Sequence, residues 1–259
     1  MGERTTYTPG TFSWADLSTT DQDAAKQFYS ALFGWEVDDL PVGDGATYSM
    51  MKRDGKNVAA VSSQPQQQRE AGVPPMWNSY VTVESADAAA DRAAELGATV
   101  HAPPFDVMDA GRMAVVQDPQ GAFFMVWEPK QNIGAGYVNA PGALCWNELA
   151  SPDVDGSISF YGQLFGWNTD PFESSPQRYE LIKVGDRSNG GIRELGDQPA
   201  PPHWLVYFGV DDIDGALAKI DELGGTKLVG PMDIGMAKIA IVQDPQGAAF
   251  AVYDGEFQP

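Results

Sequence analysis

The chain repeats itself. Pro9-Gly10-Thr11-Phe12-Ser13-Trp14-Ala15-Asp16-Leu17 returns 132 positions later as Pro141-Gly142-Ala143-Leu144-Cys145-Trp146-Asn147-Glu148-Leu149. At the same spacing Phe28-Tyr29-Ser30-Ala31-Leu32-Phe33-Gly34-Trp35 becomes Phe160-Tyr161-Gly162-Gln163-Leu164-Phe165-Gly166-Trp167. Pro74-Pro75-Met76-Trp77 answers to Pro201-Pro202-His203-Trp204, and Val116-Gln117-Asp118-Pro119-Gln120-Gly121-Ala122 recurs letter for letter at 242–248. Matches in one order along the whole length mean a duplication. The expected units are residues 1–130 and 140–259, joined by a Gly/Asn/Ala/Pro linker near 129–141. A chain of 259 residues is long enough for two such units to bury a core each.

Each unit has an internal rhythm. Residues 11–17 read as a strand with Phe12, Trp14 and Asp16 on one face and Ser13, Ala15 and Leu17 on the other. Thr19 or Thr20 is placed to cap the next helix, whose stripe is Ala24, Phe28, Ala31 and Leu32, with Gly34 as the stop. The second unit matches with Val154, Ile158, Tyr161 and Phe165, then Gly166. Strands follow near 35–38, 46–53 and 56–62. The pattern then restarts with a strand over 76–83, a helix over 86–96, and strands near 98–101, 112–117 and 122–128. Asp118-Pro119-Gln120-Gly121 makes the last tight turn. Residues 63–73 and the shorter 194–202 read as flexible loops. Each unit therefore contains βαβββ twice, an α+β fold of two tandem domains.

Composition narrows the function. A formal charge of −20 argues against a nucleic-acid partner, because phosphate binding needs clustered Lys and Arg. No apolar run reaches the roughly 18–20 residues of a membrane span, and the first residues lack the apolar core of a signal peptide. A cytoplasmic location with no membrane partner is expected. The single Cys145 forbids an intrachain disulfide and any cysteine-rich metal site. Duplication makes the chain its own pseudo-dimer, so a monomer is expected.

The Phe-Tyr-x-x-Leu-Phe-Gly-Trp helix after a first strand, with Asp-Pro-x-Gly before a last strand, resembles the glyoxalase/bleomycin-resistance/extradiol-dioxygenase (vicinal oxygen chelate) superfamily. The likeness covers nearly the whole chain, twice. More narrowly, the chain is similar to tandem-domain actinobacterial proteins labelled hydroxylases or 27 kDa antigens. The resemblance implies that paired βαβββ motifs curl into an open cup that binds its ligand inside. It also implies a divalent ion held by residues of the first, fourth, fifth and eighth strands. Here those positions fall at Trp14, Ala60, Asn78 and Met125, and at Trp146, Gly191, Leu205 and Ala251. Only the amide of Asn78 resembles a ligand such ions accept. No metal and no cofactor is expected. His101 reads as a surface residue in a loop before Pro103-Pro104.

The remaining cup-facing positions are aromatic, apolar and sparsely polar. They are Trp14, Tyr48, Asn78, Tyr80, Met125 and Trp127 in the first unit, and Trp146, Tyr179, Leu205, Tyr207 and Tyr253 in the second. Such a lining suits a small-molecule site or a filled core. Asp16 and Glu148 occupy the same slot, two residues beyond the tryptophan. An inward carboxylate among aromatics is a candidate general acid or base, and equally a structural group bonded to loop amides or to Lys52 or Lys183. His203 is the only imidazole near a cup, a second candidate for catalysis or for ligand hydrogen bonding. Two readings stand. One is a binding or sequestering protein for a hydrophobic or aromatic molecule. The other is a metal-independent glyoxalase-, lyase- or hydroxylase-type enzyme using Asp16, Glu148 and His203.

Overall fold

The computed structural model describes residues 2–43, 45–175, 177–197 and 200–257. Positions 198 and 199 of the expected 194–202 loop, and the outermost residues of both expected units, lie outside that set. The first half runs β1 (Phe12–Thr19), α1 (Gln22–Phe33), β2 (Glu36–Gly43), β3 (Ala46–Arg53), β4 (Lys56–Ser63), α2 (Gln66–Glu70), β5 (Met76–Thr82), α3 (Ala86–Glu95), β6 (Thr99–Val107), β7 (Gly111–Gln117) and β8 (Phe123–Pro129). The second runs β9 (Leu144–Ser151), α4 (Val154–Phe165), β10 (Asn168–Pro171), β11 (Tyr179–Val184), β12 (Arg187–Glu194), β13 (His203–Gly209), α5 (Ile213–Glu222), β14 (Thr226–Asp233), β15 (Ala237–Gln243) and β16 (Ala249–Gly255).

Each half makes one eight-stranded sheet, β2-β3-β4-β1-β5-β8-β7-β6 and β10-β11-β12-β9-β13-β16-β15-β14. Two βαβββ modules meet where β1 pairs antiparallel with β5, and β9 with β13. Within each module the first strand lies parallel to the last, as β1 to β4 and β5 to β8. Such a pairing needs a crossover, which the helix provides. The two tandem α+β domains read from the sequence are present.

Local details correct several sequence expectations. Asp21, not Thr19 or Thr20, caps α1: its carboxylate accepts from the Ala24 amide, as Asp153 does from Gly156 at α4. Thr19 is instead a buried residue of β1. Gly34 and Gly166 end these helices at φ 71° and 72°, a left-handed conformation that a β-carbon opposes. The buried stripe of α1 is Ala25, Phe28, Tyr29 and Phe33, and that of α4 is Val154, Ser157, Phe160 and Tyr161. Ala31 is exposed. The stripe is rotated because each helix faces two surfaces, its own sheet and the other half. A bulge between Phe12 and Trp14 also breaks their common face. Phe12 packs on Trp167 and Trp204 of the second half. The 63–73 loop contains the short helix α2, and His101 lies within β6. That strand tolerates Pro103 and Pro104 because it forms the edge of its sheet.

The repeated motifs meet across the halves. Tyr29 Oη donates to Asp244 Oδ2 (3.0 Å) and accepts from Trp77 Nε1 (3.0 Å). Reciprocally, Tyr161 Oη donates to Asp118 Oδ2 (2.8 Å) and accepts from Trp204 Nε1 (2.9 Å). The indoles of Trp35 and Trp167 donate to the carbonyls of Gly142 and Gly10, each at 2.7 Å. Asp118 Oδ1 also accepts the amides of Gln120, Gly121 and Ala122, so one carboxylate both builds its turn and anchors the other half's helix. The core joins Leu17, Val58 and Phe28 to Phe208, Val242 and Phe250 in one cluster. Replacing Asp118 or Asp244 by Ala strands a buried tyrosine hydroxyl and several turn amides. Each change is expected to destabilise the chain by about 2–4 kcal/mol, against about 1 kcal/mol for Tyr161→Phe, as read from urea unfolding midpoints.

Candidate functional site: two unequal cups

In the first sheet Asp16 stands in register with Ala60 on β4 and Asn78 on β5, while Trp14 faces Tyr80, which in turn pairs with Met125. The Asp16 carboxylate is buried and fully engaged. Oδ1 accepts from Asn78 Nδ2 (2.8 Å), and Oδ2 from both Tyr80 Oη (2.8 Å) and Tyr48 Oη (3.0 Å). Trp14 Nε1 supports Tyr48 Oη from behind at 3.0 Å. Burial raises the pKa of Asp16, and the hydrogen bonds from Asn78 and the two tyrosines oppose that rise without cancelling it. Burial and the Asp16 charge push both tyrosines well above their ordinary value.

Trp127 presents its edge to Tyr80 at 6.4 Å and donates to the Asn132 carbonyl of the linker at 2.9 Å. Its ring occupies the space a side chain at Gly111 would need. Trp14, Met50, Tyr80, Met125 and Trp127 are each at most 8% exposed. Of the other lining residues of the first cup, Tyr48 and Asn78 are half-buried.

The second cup keeps the plan and changes the contents. Glu148 is in register with Gly191 and Leu205, Trp146 with Tyr207, and Tyr207 with Ala251. Glu148 Oε1 accepts from Arg193 Nε (2.7 Å) and Oε2 from Tyr207 Oη (2.9 Å). Trp146 Nε1 donates to Tyr179 Oη (2.9 Å), which reaches over Gly191 into the space a β-carbon would occupy. Burial, then the Glu148 charge, raises the pKa of Tyr179 and Tyr207. The cation beside Glu148 is Arg193, which the sequence reading missed. Lys183 bonds Ser188 Oγ, and Lys52 pairs with Asp38. Arg193 sits where the first sheet has Ser62, since Tyr179 faces the one and Tyr48 the other. That substitution within the repeat was the available signal.

Smaller residues leave the second cup more open. Ala251 replaces Met125, Gly191 replaces Ala60, and Tyr253 replaces Trp127. Trp146, Tyr179 and Tyr253 are only half-buried, whereas Trp14 and Trp127 are buried. A surface concavity of about 320 Å³, lined by Phe172, Arg178 and Glu180 among others, reaches Tyr179 from outside. A second, of about 290 Å³, lies away from both cups between α5 and Lys227.

His203 lies on the cup side of β13, opposite Ala150, two residues from Leu205. Its Nδ1 is bonded to the Pro201 carbonyl at 2.8 Å, so it is not joined to Glu148 by a hydrogen bond. Cys145 packs beside Tyr207 and Tyr253, and burial pushes its thiol pKa up, away from a reactive thiolate.

The superfamily's divalent ion does not fit these donors. The register puts one carboxylate in each cup beside alanine and asparagine, or glycine and leucine, and both oxygens of that carboxylate already accept hydrogen bonds. Among the described residues no group of three or more His, Cys, Asp or Glu side chains is placed to hold an ion. Nor is any helix among them long and apolar enough to cross a membrane.

Paired βαβββ modules closing into cups, twice in one chain, define a tandem protein of vicinal-oxygen-chelate architecture. The chain belongs to the Glyoxalase/Bleomycin resistance protein/Dioxygenase superfamily, whose family model matches residues 11–126 and 144–252. A protein of Mycobacterium tuberculosis named "Putative glyoxylase CFP32" is 43% identical over 255 residues, covering 97% of each chain. The anthracycline biosynthesis protein DnrV of Streptomyces peucetius is 33% identical over 261 residues, covering 96% of this chain and 95% of that one. Among solved structures, the Mn(II)-bound glyoxalase from Novosphingobium aromaticivorans superimposes with a TM-score of 0.65 at 15% identity, over 99% of this chain and 85% of that chain. The catechol dioxygenase BphC gives 0.66 at 13% identity, over 97% and 88%. At these identities the structural likeness concerns the fold.

Asp16 makes the first cup testable through pH. Its folded pKa lies above the ordinary 3.8, so the native state holds this proton to higher pH than the unfolded chain. The corresponding stability is complete below 3.8 and is lost as pH rises through the raised folded value. Asp16→Asn is expected to flatten the fall of unfolding free energy across that window, measured by urea titration at stepped pH. An unchanged slope would contradict a buried, uncompensated carboxylate.

Proposed function

We propose that the protein binds a small, planar aromatic molecule in its second cup and does so without the superfamily's metal ion. The observation that carries this reading is the asymmetry of the duplicate. One cup buries Trp14 and Trp127, whereas the other keeps half-buried Trp146 and Tyr253 at those positions, beside Tyr179 and around a polar floor of Glu148, Arg193 and Tyr207. An apolar wall with few convergent polar groups is the usual make-up of a small-molecule site, and rigid aromatic side chains stack on planar rings with little loss of freedom. The named role of DnrV, in the biosynthesis of anthracyclines, supports a ligand of polycyclic aromatic kind. A sequestering role of the kind the superfamily's bleomycin-resistance members are named for fits the same geometry.

The acid–base enzyme reading gains less from these contacts. Glu148 is tied to Arg193 and Tyr207, His203 to a backbone carbonyl, and Asp16 is buried inside the first cup.

Ala251→Met installs in the second cup the side chain that the first carries there. Titration with 2-acetonaphthone, followed by ligand-observed NMR, is expected to show at least about tenfold weaker binding to this variant, the loss that follows when a filled site excludes a ring. The variant's thermal midpoint serves as the folding control. Binding by a folded variant equal to that of the unaltered protein would place the ligand elsewhere. Added Mn(II) is expected to leave the affinity unchanged, and a metal-dependent gain would overturn the metal-free part of the reading.

A further inference from the structure

Arg193 uses its guanidinium incompletely. Nε donates to Glu148 Oε1 at 2.7 Å and Nη1 to the Glu194 carbonyl at 3.0 Å. A guanidinium facing a carboxylate normally closes a two-pronged pair through Nε and Nη2, which share one edge of the fork. Arg112 does this with Asp87 at the surface, Nε at 2.7 Å and Nη2 at 2.9 Å. At Arg193 the pair is left open, because Glu148 gives its second oxygen to Tyr207. Among the described residues Nη2 has no hydrogen-bond partner, and with the side chain 13% exposed it keeps contact with solvent, where a ligand oxygen can replace water. Since Nη2 shares an edge with Nε, it points to the Glu148 side, which is the cup side of β12.

The charge at this place restricts what the acceptor can be. Arg193 is already neutralised by Glu148, and the chain as a whole carries −20. A second carboxylate brought to Nη2 would leave the cup floor with a net negative charge inside a repelling field. A neutral oxygen acceptor takes the same charge-assisted bond without that penalty. The first cup has Ser62 at this position, and its carboxylate takes three neutral donors instead.

We propose that Arg193 Nη2 is the specificity-determining donor of the second cup, selecting aromatic ligands that carry a ring-conjugated neutral carbonyl over hydrocarbons and carboxylates of the same shape. This rests on the second cup being the binding site. The test is a ligand-observed NMR titration with three probes of one size, 2-acetonaphthone, 2-ethylnaphthalene and 2-naphthoate. The unaltered protein is expected to prefer the ketone to the hydrocarbon by about tenfold or more, as a hydrogen bond to a charged group would give. The carboxylate is expected to bind no better than the hydrocarbon.

Arg193→Ser, which copies the first cup, is expected to erase the ketone preference, read as the ratio of ketone to hydrocarbon affinity within that variant. Arg193→Lys keeps a cation beside Glu148 but loses the fork, so it too is expected to lose the preference while retaining the native thermal midpoint. If no probe binds the unaltered protein, the binding-site reading fails and the proposal with it. If ketone and hydrocarbon bind equally, or if the lysine variant still prefers the ketone, the site stands and the role of Arg193 is refuted. Strongest binding by 2-naphthoate would refute the charge argument, and with it the neutral-carbonyl class.

Discussion

A tyrosine hydroxyl from each half is hydrogen-bonded inside the final turn of the other half, and the rest of the molecule is arranged around that exchange. Tyr29 reaches Asp244 and Tyr161 reaches Asp118, with Trp77 and Trp204 donating to the two tyrosines. Each aspartate is buried, and the loss of charge solvation raises its pKa. The backbone amides of the Asp-Pro-Gln-Gly turn offset part of that loss. Each half satisfies one oxygen of its turn carboxylate and leaves the other to the opposite half's tyrosine. Two sheets whose helices each need a second apolar surface become one folded unit, which agrees with the way α1 and α4 bury the tyrosine side of the helix.

With stability lodged at that seam, the inner faces of the sheets were free to diverge. Both cups keep the same frame: a tryptophan, a carboxylate two residues on, and two tyrosines from neighbouring strands. In the first, the longer Met125 and Trp127 pack beside the carboxylate that the Asn78 amide donates to. In the second, an arginine compensates the carboxylate, and smaller residues on β12 and β16 release space. Replacing methionine by alanine in a packed interior would by itself leave a destabilising void. A cup opened to solvent and able to take a ligand avoids that penalty, because its walls then meet another molecule.

How far the sequence could be read follows from these same contacts. The duplication, the strand order within each βαβββ motif, and the two glycine helix stops came from spacing alone, since each reflects local backbone geometry. The face of α1 did not, because its burial is set by the other half of the chain. The bulge at Ser13 likewise escaped a simple alternation rule and separated Phe12 from Trp14. Inward positions such as Trp14, Asp16, Tyr48 and Tyr80 were legible because they follow period two from a fixed tryptophan. Arg193 was not, because its counterpart Ser62 is uncharged and only the cross-strand register with Tyr179 and Tyr48 brings the two positions together.

The contrast between Asp16 and Glu148 carries the physical point about this scaffold furthest. In both cups the carboxylate on the floor is held by hydrogen bonds, but with different electrostatic results. Three neutral donors leave Asp16 with a net charge in the core, which favours protonation and suits a closed, structural floor. One guanidinium and a tyrosine leave Glu148 neutralised as a pair, with a donor to spare. A divalent ion would have polarised a ligand oxygen from this place. In the proposed binding mode a guanidinium there gives the same oxygen a weaker but directional partner. That arrangement needs no change of fold: Glu148 is in register with Gly191 across the β12–β9 pairing, and Arg193, two residues on and opposite Ala150, reaches it diagonally.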